Sequence, residues 1–138
     1  MQESTRAVLD DLLEAFLTGD SDRLAARYHD DIDWLFHAPV SVFPFAGKRH
    51  GKAEVFKGFA IMFEAFRLTE YRVELRLVDG DRAATLSDVH MVQRATNRII
   101  SSRIAGFHRF QDGQLIEYRG FTDSFDSVEQ VLGRELDL

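Results

Sequence analysis

Residues 104–125 read IAGFHRFQDGQLIEYRGFTDSF. From Ile104 to Phe110 apolar or aromatic residues alternate with polar ones, the pattern of a strand with one buried face. Asp112-Gly113 is a turn pair, and alternation resumes from Leu115 to Thr122. Beyond it, Phe125, Val128, Val131 and Leu132 fall at helical spacing. The stretch therefore predicts two adjacent antiparallel strands and the start of a helix. Period two sorts the side chains of each strand onto two faces.

Toward the N-terminus the same period continues. Strands are expected at 99–111, 82–93 and 71–78, joined by turns at Thr96-Asn97 and Asp79-Gly80-Asp81. Before residue 70 the period becomes helical. Val55, Phe56, Phe59, Met62, Phe63 and Phe66 form an apolar stripe over an expected helix from Lys52 to Leu68. Pro39 to Gly51 holds both prolines and two glycines and reads as a loop. Its Phe43 and Phe45 either pack plainly or act as a lid. A strand is expected from Asp31 to Ala38. Two helices open the chain: one capped by Ser4 or Thr5 and ended by Gly19, and a short one capped by Ser21. This order predicts one α+β domain over residues 1–138: a curved, mostly antiparallel sheet wrapped around helices to leave a cone-shaped pocket.

Composition narrows the function. A formal net charge of -6 argues against nucleic acid as a partner. No apolar run is long enough for a membrane span, and the polar, acidic start MQESTRAVLDD does not resemble a signal peptide. With no cysteine, thiolate chemistry and disulfides are excluded, and a cytoplasmic location is expected. The 12 phenylalanines can build a core, the walls of an apolar cavity, or both.

Four segments in order carry a resemblance: FLTGD (16–20), YHDDIDW (28–34), the Gly47 and Gly51 pair, and FQDGQLIEYRGFTD (110–123). Together they resemble the nuclear transport factor 2-like superfamily, and the last resembles its SnoaL-like and ketosteroid isomerase-like branch. The resemblance implies a cystatin-like roll with a hydrophobic pocket, and a homodimer paired through the outer face of the sheet. It implies a range of activities: isomerase, cyclase, dehydratase, epoxide hydrolase or non-catalytic binding. The acids of those enzymes do not carry over. The tyrosine and protonated aspartate of the steroid isomerases fall at Leu13 and Gly106, and their base falls near Phe36 or His37. The epoxide hydrolase acid falls at Gly120. The cyclase acid falls at Gly120, or at Asp123 in a shifted register. Asp123 also has the position of a helix cap, a role expected of it ahead of catalysis.

In the family register Gly106 and Gly120 face the cone, with Ile104, His108, Tyr118 and Thr122. The two glycines either widen the pocket or mark bulges. Arg103, Glu117 and Arg119 then share the opposite face. Asp88 and His90, two apart on one strand, form the minimal carboxylate-imidazole unit of a general base. On the cone side they are the candidate catalytic pair; on the other side they are a surface or interface pair. The candidate ligand-binding residues are Tyr28, Trp34, Phe59, Phe63, Gly106, His108, Tyr118 and Gly120. His37, Asp88, His90 and His108 lack local metal-binding spacing, so neither metal nor cofactor is expected. The expected partner is a small hydrophobic molecule; the alternative is a non-catalytic ligand-binding or dimerisation module.

Overall fold

The computed structural model describes residues 3–138; Met1 and Gln2, the start of the polar N-terminal stretch, lie outside the described residues. The elements are α1 (Thr5–Thr18), α2 (Ser21–Ala26), β1 (Tyr28–His37), β2 (Gly47–His50), α3 (Lys52–Ala65), β3 (Phe66–Asp79), β4 (Arg82–Gln93), β5 (Ile99–Gln111), β6 (Gln114–Thr122) and α4 (Ser124–Leu132). They form the α+β architecture expected from the sequence.

Local chemistry sets the helix ends. The Ser4 side chain accepts from the Ala7 backbone N–H at the start of α1, and Gly19 closes it in the left-handed conformation at φ 70°. Helix α1 buries Val8, Leu9, Leu12 and Leu13. Asp123 caps α4 by accepting from the Asp126 N–H at 3.1 Å, which assigns it the structural role.

The strands make one sheet in the order β2-β1-β6-β5-β4-β3. The pairs along β3-β4-β5-β6 are antiparallel, whereas β1 runs parallel to β6, with Trp34 opposite Tyr118 and Phe36 opposite Gly120. Two expectations are corrected here. The segment from Pro39 to Gly51 is not all loop, because Gly47–His50 pairs with β1 as β2. Helix α3 ends at Ala65 rather than Leu68, and Phe66 is already extended (φ -134°, ψ 142°) and buried. Phe66 and Leu68 fit both periods, and pairing with β4 decides between them.

The remaining loop is a packed plug. Phe43 and Phe45 are buried and pack against Phe66. Arg49 ties this loop to α3: its guanidinium donates to the carbonyls of Phe45, Pro44 and Glu54 at 3.0–3.2 Å. Gly58 makes room for it, since a Cβ there would stand 2.8 Å from Arg49 Nε.

Candidate functional site: an apolar cavity inside the sheet

Between the concave face of the sheet and helices α1 and α3 lies a cavity of about 130 Å³. Its walls come from Leu12, Phe16, Phe59 and Met62 on the helices, and from Tyr28, Trp34, Tyr71, Val89, His108 and Tyr118 on the strands. Phe43 and Phe45 also line it. Among the described residues, no Asp, Glu, Lys or Arg does.

Strand period explains which residues arrive. On β4 the buried residues are Ala83, Thr85, Ser87, Val89 and Met91, all on the face opposite Asp88 and His90. The expected pair does form, with His90 Nε2 3.3 Å from Asp88, but it stands on the outer face, which corrects the cone-side assignment. There Asp88 accepts from Arg72 at 3.2 Å, and His90 Nδ1 lies 2.9 Å from Ser101 Oγ. Arg72, and after it His90, holds the Asp88 carboxyl below the usual carboxylate range. The pair belongs to a surface ionic network that includes Glu70 and the Arg103–Glu74 ion pair. Arg119 meets Asp33, and Arg109 meets Glu117, on the same outer face.

Of the expected ligand-binding residues, Tyr28, Trp34, Phe59, His108 and Tyr118 line the cavity, whereas Phe63 does not. Phe63 is 37% exposed on α3 and packs on the ring of Phe16. Gly106 and Gly120 face inward and pair directly with each other, but neither expectation for them holds. The irregularity in β5–β6 pairing falls between Arg109 and Phe110, away from both glycines. Nor is the space beside them open. A Cβ at Gly120 would lie 2.6 Å from Phe36 Cδ2 and 2.7 Å from the Tyr118 hydroxyl; one at Gly106 would lie 3.0 Å from His108 Cε1 and 3.2 Å from Tyr118 Cε1. The glycines seat the aromatic wall, and Tyr118 lies over them.

His108 and Tyr118 are cross-strand partners with ring centroids 5.1 Å apart, edge to face. Trp34 stacks on Tyr118 at 5.6 Å, and Phe110 stacks on His108 at 6.2 Å. Burial lowers the His108 pKa to about 4, the Ala83 backbone pulling the other way. The imidazole is thus uncharged at neutral pH, and its buried Nδ1 has no hydrogen-bond partner. Burial pushes the phenols of Tyr28, Tyr71 and Tyr118 upward, so they stay protonated and able to donate. His37, Asp88 and His90 are on the outer face, apart from His108. Among the described residues no three His, Asp or Glu side chains gather as a metal site.

Sequence reading missed Tyr71, Val89 and Met91 in the walls. Their signal was present: Val89 and Met91 alternate with Asp88 and His90, so the apolar set marks the inner face.

The sequence profile of the SnoaL-like domain matches residues 9–118. A candidate isomerase from Rhodopseudomonas palustris is similar in structure, with 36% identity and a TM-score of 0.84, covering 97% of this chain and 100% of that one. A nuclear transport factor 2-like protein from Burkholderia thailandensis superposes with a TM-score of 0.83 at 21% identity, covering 95% of this chain and 98% of the other. A candidate polyketide cyclase from Streptomyces antibioticus shares the fold with a TM-score of 0.77 at 20% identity, over 95% and 99% of the two chains. Among curated proteins, none matches.

Proposed function

The chain belongs to the SnoaL-like domain family, and from that premise we propose that it binds a small, largely apolar molecule in the cavity inside its sheet. One observation carries this reading: a space walled by aromatic and aliphatic side chains has no charged residue among them and hydrogen-bonding groups at only a few points. Proton transfer to or from the bound molecule would fall to His108 and the phenols, because no carboxylate faces the cavity. A cysteine-free chain suits a cytoplasmic setting, and no described helix is long and apolar enough to cross a membrane.

Trp34 is the single tryptophan of the chain and lines the cavity, so its emission reports directly on the site. Titration with ethylbenzene, with excitation at the red edge of the indole band, should give a saturable change in emission and a raised melting midpoint. His90→Ala should leave both responses unaltered, because His90 lies on the other face. A linear, unsaturable response in the unmodified chain would remove the proposal.

The outer face supports a second element, a homodimer. One row across it runs Leu75, Leu86, Ala105, Phe121 and His37, and the next runs Leu77, Ala84, Phe107, Arg119 and Leu35. Leu75, Leu77, Phe107 and Phe121 are 41–58% exposed. Charged rows flank this apolar band: Arg72, Asp88 and Arg103 on one side, and Asp79, Arg82, Arg109, Glu117 and Asp33 on the other. An apolar centre with a polar rim is the anatomy of a protein interface, and a band with charges of both signs on either edge can meet a second copy of itself.

A further inference from the structure

Given that the cavity binds a small apolar molecule, as proposed, its walls also narrow the identity of that ligand. Size sets the first limit. The space is about 130 Å³, and an engineered apolar cavity of about 150 Å³ takes up benzene. One ring fits within it.

Charge sets the second limit. No ionisable lining group offers a counter-charge, since the cavity residues that titrate are His108 and the three tyrosines. A charge buried among such walls without a partner is strongly disfavoured.

The third limit is polarity. The Tyr118 ring is fixed by Trp34 on its face and by His108, 5.1 Å away, edge to face. Its hydroxyl makes no hydrogen bond to a described residue. It reaches across to Gly120, where a Cβ would be 2.7 Å away, so glycine at this position seats the hydroxyl in the cavity wall. An unmatched donor in an apolar wall is costly to leave empty and favours an acceptor.

We infer that the cavity selects an uncharged single-ring molecule bearing one hydrogen-bond acceptor, and that this acceptor takes a hydrogen bond from the Tyr118 hydroxyl.

Three probes and one variant test it. Acetophenone, ethylbenzene and benzoate are titrated calorimetrically at pH 7 into the unmodified chain and into Tyr118→Phe. Acetophenone should bind at least tenfold more tightly than benzoate. Tyr118→Phe should weaken acetophenone about fivefold relative to ethylbenzene, the scale of one neutral hydrogen bond. The infrared carbonyl stretch of bound acetophenone, read on the unmodified chain, should move to lower frequency than in an apolar solvent; this arm does not depend on the variant folding. Benzoate binding as well as acetophenone, equal effects of Tyr118→Phe on both neutral probes, or an unshifted carbonyl band overturns the inference while ethylbenzene still binds. Failure of ethylbenzene itself to bind overturns the underlying binding reading instead.

Discussion

His108 is a potential cation placed in an apolar wall, and the protein pays for that at low pH. Its pKa falls from an ordinary 6.5 to about 4 because burial penalises the charged form. Between those values the unfolded chain binds more protons than the folded one, so stability falls as pH drops through this window. The loss from this one side chain is on the order of 3 kcal/mol once pH is below about 4. Replacing it with Phe should flatten that part of the acid limb in urea titrations between pH 7 and 4; an unchanged limb would show that His108 is not buried uncharged. Asp88 and His90 teach a different lesson at this scale. Spacing of two placed them together correctly, yet alternation alone says only that they share a face. The inner face of β4 is marked by Val89 and Met91, and the carboxylate and imidazole went to the side where Arg72, Glu70 and water could satisfy them.

At the scale of elements, strands and helices followed from period and caps. The four strands from Tyr71 to Thr122, their turns, and helices α1, α2 and α4 were readable because each has a period and end signals of its own, although α2 is capped by Asp20, which accepts from the Arg23 N–H, and not by Ser21 as expected. What escaped depended on partners distant in sequence. Strand β2 is four residues long and exists only through pairing with β1, and the α3–β3 junction fell at Phe66 because β4 offers it a ladder. Asp123 lies at one of the legible ends. Its carboxylate caps α4, so Asp123→Ala should lower unfolding free energy by about 1 kcal/mol, with Asp123→Ser restoring most of it. Denaturant midpoints measure this; an unaffected midpoint would reopen the question of a chemical role for Asp123.

For the whole molecule, the sheet divides the chain into an apolar interior and a patterned exterior. The inner face holds aromatic rings around a cavity, while the outer face carries an apolar band between two charged rows. A specific interface needs roughly 800 Å² per partner, and the band crosses five strands, about 24 Å of width at the usual strand spacing. Phe107, 52% exposed near the middle of the band, is the place to test it. Phe107→Asp should shift the light-scattering mass at micromolar concentration from two chains toward one, weakening association at least tenfold. A mass of one chain for the unmodified protein at millimolar concentration would contradict the dimer. The candidate site was legible to the same degree as the topology: Tyr28, Trp34, Phe59, His108 and Tyr118 were named from the sequence, and Phe63 and the two glycines were misjudged. An aromatic stripe does not say which ring of it points inward, and a glycine does not say what fills its space.

Hydrophobic period and turn chemistry are local, so the class of fold and most of the ladder of strands are written along the chain. That β1 lies parallel to β6, that Gly106 and Gly120 seat the Tyr118 ring, and that Asp88 and His90 stand outside the cavity emerge only from the folded chain. Those outcomes turn on which face of the sheet the helices cover, a choice made by packing of the whole chain that no local period records.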